Sequence, residues 1–232
     1  MKLEITRTAD GSDTLYHPGL NQHFHSTFGA MEESLHIFIR AGLLHYLEMV
    51  NINQPGNHRS LRILEVGFGT GLNALLTQVE AEKQRIKVHY TAIEAFPLED
   101  CYWRLLNYSG LVGSGDSNEV FRHIHLATWD APGNISPFFT LLKVHKTLES
   151  FIPGETAFDL VFFDAFGPDA QPEVWTEELF RKLYKGLAPG GVLVTYSVKG
   201  TVVRALSSAG FCTEKLPGPL GKRHILRAIK CQ

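Results

Sequence analysis

The sequence predicts an α/β fold: a doubly wound, mostly parallel sheet with an antiparallel C-terminal edge, preceded by a small hairpin-and-helix extension. Three observations predict it. Residues 61–66 are a short, mostly apolar run that passes through Gly67, Gly69 and Gly71 into helical spacing from Leu72 to Val79, the strand–turn–helix opening of a nucleotide-binding unit. Apolar runs at 86–94, 158–164 and 192–197 then alternate with helical patterns, the order that builds a parallel sheet. Last, 211–215 and 224–229 read as two strands joined by Pro217-Gly-Pro-Leu-Gly221 with no helix between them, so this pair is antiparallel.

The elements follow in order. Residues 3–8 and 13–16 alternate around an Asp-Gly turn and read as a hairpin. An aromatic and histidine-rich loop covers 16–29. His23 and His25 invite a metal reading, but no cluster of further ligands lies near them and no metal is expected. Leu35, Phe38, Ile39, Leu43, Leu44 and Leu47 place a helix over 30–50, and Pro55 and Gly56 mark a loop over 51–60. This divides the chain into an extension, 1–60, packed on a core, 61–232. Beyond the second core strand, Pro97 starts a helix with Leu98, Cys101, Leu105 and Leu106 on its apolar face. Residues 111–119 read as a loop, 123–127 and 138–144 as strands linked through 130–134, and 146–151 as a short helix. Helices are expected at 177–187, stopped by Pro189-Gly-Gly191, and at 201–208.

With 232 residues and 44% hydrophobic content, the chain can build one sizeable core. No apolar run approaches the roughly 20 residues that span a bilayer. Three cysteines, Cys101, Cys212 and Cys231, give neither a disulfide framework nor metal-ligand spacing, so the expected compartment is the reducing cytoplasm. The net charge of −2 does not suggest a nucleic-acid binder, yet from Lys199 onward there are seven bases and one acid. That stretch has the polarity of a phosphate-binding face.

The glycine spacing is G-x-G-x-G, not the G-x-G-x-x-G that serves a pyrophosphate. Glu65, just before it, repels a pyrophosphate and suits a cationic amine. Glu94 ends the next strand 23 residues beyond Gly71, close to the offset of about 20 at which an acid meets ribose hydroxyls. A ligand with an amino-acid end and a nucleoside end satisfies both, and S-adenosyl-L-methionine is such a ligand. The expected fold is therefore Rossmann-like, of the class I methyltransferase kind. A glycine turn of this sort also serves tight packing with no ligand at all. Asp164 ends a third strand and is the catalytic candidate, beside Phe166, Pro168, Pro172 and Trp175, which could exclude water and stack on a flat base.

These residues match a family. GFGTGLN (67–73), IEAFPL (93–98), DAFGPDAQPEVW (164–175), APGG (188–191) and GPLGKRHILRA (218–228) resemble, in order, the MnmC-type tRNA methyltransferases. HFHS (23–26) and EESLHIFI (32–39) resemble that family's N-terminal motif. The resemblance implies methyl transfer from S-adenosyl-L-methionine to the amino group of 5-aminomethyl-(2-thio)uridine at the tRNA wobble position. It places the cofactor on Glu65, Gly67, Phe68, Gly69, Thr70, Gly71, Asn73 and Glu94. Asp164 is then the residue that orients the amine or takes its proton, aided by desolvation from Phe166 and Trp175. Phe166, Pro168 and Trp175 would meet the substrate base, while Lys199, Lys222 and Arg223 would hold the anticodon stem-loop by its phosphates. In two-domain relatives an FAD-dependent oxidase domain acts first. A chain of this length resembles the stand-alone, MnmD-like form, without FAD, its substrate supplied from elsewhere. The family's Gly-Asp pair after the third core strand is replaced by His145-Lys146, so no acid is assigned to adenine; Asp130 could substitute only if the elements around it are arranged differently. Two other readings stay open: a methyltransferase of a small-molecule or protein amine, and a non-catalytic cofactor-binding subunit.

Overall fold

The computed structural model describes residues 2–50, 60–113 and 116–231. Most of the loop expected at 51–60 lies outside them. The N-terminal strands are β1 (Glu4–Arg7), β2 (Asp13–His17) and β3 (Gln22–His23), which form a three-stranded antiparallel sheet. The expected hairpin is its first pair. Helix α1 follows as three continuous segments, Ala30–Ser34, Leu35–Leu44 and His45–Met49, the middle one wound as a π-helix. A Cβ at Gly42 would lie 2.9 Å from Val194 Cγ2 and 3.2 Å from Phe162, so the missing side chain lets the helix backbone lie directly on the main sheet.

The core runs β4 (Leu61–Val66), α2 (Leu72–Gln84), β5 (Val88–Glu94), α3 (Asp100–Trp103), α4 (Tyr108–Val112), α5 (Ser117–Leu126), β6 (Gly133–Ser136), β7 (Phe139–His145) and β8 (Phe158–Phe163). It continues with a 3₁₀ turn (Pro172–Val174), α6 (Glu177–Gly186), β9 (Leu187–Thr195), α7 (Gly200–Ser208), β10 (Phe211–Pro217) and β11 (His224–Lys230). The eight-stranded sheet has the order β10-β11-β9-β8-β4-β5-β7-β6. Strands β7, β5, β4, β8 and β9 are parallel, while β11, β10 and β6 give the sheet antiparallel edges. The strand order reverses between β4 and β8, which is where open sheets of this kind bind ligands.

The near-continuous apolar runs are explained by burial on both faces. Ile63, Tyr90, Leu160, Phe162 and Val194 pack under α1 and α2 on one side. Leu64, Ile93, Val161, Phe163 and Leu193 pack under α6 and α7 on the other.

Several expectations are corrected. Residues 123–127 are not a strand but the last turns of α5, because Ser117, Phe121 and Ile124 share one buried helical face. That spacing outweighs the local alternation of His123-Ile-His-Leu. The expected loop at 111–119 therefore gives way to helix from Ser117. The edge hairpin is β6–β7, turning at 137–138 rather than 130–134. Residues 146–151 form only an isolated turn, with Phe151 N–H on the Thr147 carbonyl. Helix α3 starts at Asp100, not Pro97, and leaves Leu105 exposed. The Pro189-Gly-Gly191 stretch lies inside β9 as an irregularity against β8. Finally, Cys212 and Cys231 are disulfide-bonded. They are distant in sequence, but the antiparallel pairing of β10 with β11 brings the two ends together; Cys101 is free and exposed.

Candidate active site

A cavity of about 1050 Å³ opens at the C-terminal ends of β4, β5, β8 and β9. Of the residues expected there, Gly67, Gly69, Glu94, Asp164, Phe166, Pro168, Lys199, Lys222 and Arg223 line it. Glu65, Phe68, Thr70, Gly71, Asn73 and Trp175 do not line it; they stand behind its wall.

The wall is built on the glycine turn. Gly67 has φ +92°, and a Cβ there would lie 2.7 Å from the Asp164 carbonyl oxygen. Only glycine lets the ends of β4 and β8 close this tightly, and Asp164 N–H donates to the Val66 carbonyl across the junction at 2.9 Å. Gly69 N–H donates to Glu94 Oε2 at 3.0 Å, and Phe96 N–H to Glu94 Oε1 at 2.9 Å. Burial raises the Glu94 carboxyl, opposed by these backbone donors. Each oxygen keeps a further lone pair for a hydroxyl in the cavity.

Asn73, on the first turn of α2, bridges two acids. Its Nδ2 donates to Glu65 Oε1 at 3.0 Å and to Asp164 Oδ2 at 2.8 Å. Glu65 is about 1% exposed, so it supports Asp164 through Asn73 and faces no ligand directly. Burial, and then the Asp164 charge, hold the Glu65 carboxyl well above the usual range. Asp164 is itself pushed well up, by burial first and then by Glu33, against the Asn73 hydrogen bond and the Lys222 charge.

Two histidines that the sequence reading did not place in the site hold the turn: His25, which lines the cavity, and His125, which does not. His25 Nε2 bonds Thr70 Oγ1 at 2.7 Å, and His125 Nε2 donates to the Thr70 carbonyl at 3.1 Å. Burial lowers His25 to about 4 and His125 to about 3, so both are neutral at pH 7. Both Thr70 groups are thus engaged inside the protein. Phe68 packs edge-on against His125 and Trp129, with the Lys143 ammonium 5.5 Å from its ring centroid. Trp175 is buried against Phe163 and Tyr196, and its indole N–H holds the Phe166 carbonyl at 2.8 Å. It shapes the loop and offers no stacking face to a base. Phe166 packs edge-on against Phe24, 4.9 Å between centroids. Gln22 Oε1 accepts from Gly167 N–H at 3.1 Å, so the N-terminal extension roofs the 164–171 loop.

The basic stretch from Lys199 onward is less available than its sequence suggests. Lys199 pairs with Asp169, Lys222 with Glu33 and Arg227 with Glu214, while Lys230 donates to the carbonyls of Tyr184 and Leu187. Six acids and four bases line the cavity: Glu33, Glu94, Glu99, Asp164, Asp169 and Glu173 against Lys146, Lys199, Lys222 and Arg223. Its field therefore suits cationic ligands. Asp130 accepts from His145 N–H at 3.2 Å at the end of β7, off the cavity wall, whereas Lys146 lines it. Among the described residues no group of three or more His, Cys, Asp or Glu is placed to hold a metal, and no helix is long and apolar enough to cross a membrane.

Residues 140–231 match a family described as S-adenosyl-L-methionine-dependent methyltransferase. The chain is 31% identical over 236 aligned residues to the tRNA 5-methylaminomethyl-2-thiouridine biosynthesis bifunctional protein MnmC of Leptospira borgpetersenii, covering 97% of this chain and 33% of that one. It is 28% identical to the MnmC of Magnetococcus marinus, covering 94% of this chain and 32% of that protein. The chain thus spans about a third of the length of these curated relatives. The crystal structure of MNMC2 from Aquifex aeolicus superposes with a TM-score of 0.78 at 25% identity, over 98% of this chain and 69% of that one. With a glycine turn held against Glu94 and Asp164 in one cavity, the chain shares the fold and the sequence pattern of the S-adenosyl-L-methionine-dependent methyltransferases of the MnmC type.

Proposed function

We propose that the chain transfers a methyl group from S-adenosyl-L-methionine to the amino group of 5-aminomethyl-(2-thio)uridine at the wobble position of a tRNA anticodon stem-loop, giving the 5-methylaminomethyl nucleoside. The observation that carries this reading is Asp164, a half-buried carboxylate that lines an acid-rich cavity directly beside the glycine turn. The names of the MnmC relatives point to the same chemistry.

The residues present fit the cofactor. Gly67 and Gly69 bring bare backbone to the cavity, and Glu94 is fixed by two backbone donors with lone pairs left for ribose hydroxyls. When bound, the cofactor supplies an electrophilic methyl on a sulfonium. Glu65, Thr70 and Asn73 act from behind by fixing the turn and Asp164.

Asp164 handles the acceptor. An alkyl amine with a pKa near 10 is about one part in a thousand neutral at pH 7, which costs about 4 kcal/mol. Asp164 holds the amine in line and accepts its proton. Burial that raises the Asp164 carboxyl also makes it a better proton acceptor once ionised. The aminomethyl substrate comes from a preceding reaction, and the site of action is the cytoplasm.

The test is mass spectrometry of digested nucleosides after incubation with the cofactor and tRNA carrying 5-aminomethyl-2-thiouridine. The expected result is one added methyl on that nucleoside. No gain, with cofactor binding intact, would refute this acceptor.

A further inference from the structure

Glu33 comes from the first turns of α1, far from the core motifs in sequence, and lines the cavity. Its side chain is 9% exposed. Oε2 is fixed by Ser26 N–H at 2.7 Å, while the partner of Oε1 is an ammonium, that of Lys222, at 3.1 Å. The same ammonium sits 4.4 Å from the centroid of the Tyr196 ring. Tyr196 is itself fixed by its hydroxyl, which donates to the Ala165 carbonyl at 2.8 Å, next to Asp164. A carboxylate and an aromatic face around a primary ammonium make up a binding site for an alkylammonium ion. Here the chain's own lysine fills it, and Asp164, Tyr196 and Glu33 all line the same cavity.

We propose that Glu33 is a second carboxylate of the acceptor site: with Asp164 and the face of Tyr196 it forms a cage for the aliphatic ammonium of the incoming substrate, which displaces the Lys222 ammonium from it. The proposal rests on the reading of the acceptor as an amine. Lys222 is then an internal competitor that keeps the cage neutralised between turnovers, not a phosphate contact. Glu33 and Lys222 both bear on the Asp164 carboxyl, in opposite directions, so displacing the lysine is felt at Asp164 as well.

The two partners of an ion pair that only ties elements together are equivalent: breaking it from either side has the same effect. The cage makes them opposite. Calorimetric titration of the nucleoside 5-aminomethyluridine into protein saturated with S-adenosylhomocysteine reads this directly. Wild type should bind it; Glu33→Gln should bind at least tenfold more weakly; Glu33→Asp should recover part of the loss; and Lys222→Gln should bind at least as tightly as wild type. Affinity for S-adenosylhomocysteine should stay within about twofold in all variants, which also reports folding. Three results overturn the proposal: equal weakening in Glu33→Gln and Lys222→Gln, wild-type nucleoside binding in Glu33→Gln, or loss of S-adenosylhomocysteine binding in Glu33→Gln alone, which would give Glu33 to the cofactor. Absence of nucleoside binding in wild type overturns it too. Wild-type turnover on tRNA, measured in parallel, judges the proposed function separately.

Discussion

Replacing Asp164 with Asn changes the acceptor site while sparing the fold around it. The Asn73 amide can go on donating to the new side-chain oxygen, as it does now to Asp164 Oδ2 at 2.8 Å. What is lost is the charge and the second acceptor lobe. The substituted amide turns an NH₂ toward the amine, which can neither take its proton nor attract it. Loss of a positioned general base costs roughly 10²–10⁴ in rate. Stability should hold or rise, because Asp164 and Glu65 now repel each other through a buried site. The assay is single-turnover methyl transfer to 5-aminomethyl-2-thiouridine tRNA, with S-adenosylhomocysteine affinity as control. Its pH dependence separates two roles. Between pH 7 and 9 the neutral fraction of an amine with a pKa near 10 grows about 100-fold. If Asp164 removes the proton, the deficit of the variant shrinks over that window by about the same factor. If it only orients the amine, the deficit stays constant. Wild-type turnover by Asp164→Asn at pH 7 would refute both roles.

Further predictions concern the cofactor wall and the core. In Glu94→Gln one backbone donor, Gly69 N–H or Phe96 N–H, faces an NH₂ in place of an oxygen; at about 1–3 kcal/mol, S-adenosylhomocysteine binding should weaken about 10- to 100-fold by calorimetry. Gly67→Ala puts a Cβ 2.7 Å from the Asp164 carbonyl oxygen at φ +92°, and should lower stability by on the order of 1–3 kcal/mol in a denaturant melt, whereas Gly110→Ala, with nothing within 4 Å, should not. Lys143, buried and pushed down to about 8 by desolvation, binds fewer protons folded than unfolded between pH 8 and 10.5. Its folded state is penalised below that window and relieved as pH rises through it, so wild type should gain stability relative to Lys143→Met from pH 8 to 10. Parallel melting curves would count against this.

The fold was largely legible because its signals are local and mutually consistent. Leu61–Val66 and Phe158–Phe163 are mostly apolar, interrupted by Arg62, Glu65 and Asp159, since both faces of the sheet are covered, and the Gly67-x-Gly-x-Gly71 turn demands bare backbone where two strand ends meet. Between 95 and 151 the reading held for the strand at 138–144, which is β7, and failed for much of the rest, because short helices and an edge hairpin there carry overlapping patterns. His123-Ile-His-Leu alternates like a strand, and only the longer register from Ser117 through Phe121 to Ile124 reveals the helix. That Gly67, Glu94 and Asp164 line one cavity was readable from their places at strand ends. Glu33, His25 and His125 were not, since each reaches the site from an element whose docking no local pattern encodes. Trp175 misled because an aromatic beside a catalytic candidate looks like a stacking platform, whereas this one is needed under Phe166 to shape the loop.

Counting charge along the chain misled in a more instructive way. Seven bases against one acid after Lys199 suggest a strongly basic face, but tertiary contacts bring acids from elsewhere: Asp169 to Lys199 and Glu33 to Lys222. Glu214, the one acid of that stretch, is taken by Arg227. Arg204, Lys215 and Arg223 are the exposed bases of that stretch with no ion pair among the described residues, and only Arg223 of these lines the cavity. A single-stranded RNA segment held by seven cations would show a salt slope of about −5; three give about −2. Between 50 and 200 mM salt this is the difference between roughly a thousandfold and roughly a twentyfold loss of affinity. The shallow slope is expected in filter binding of an anticodon stem-loop, and Arg223→Ala should make it shallower by about 0.7 while weakening binding. A slope near −4 would mean that the ion pairs of Lys199, Lys222 and Arg227 open on binding. An acid-lined cavity beside a few free cations separates selection from capture. Under the proposed function the cavity would select the amine by its charge, and the phosphate contacts would need only to bring it to the mouth.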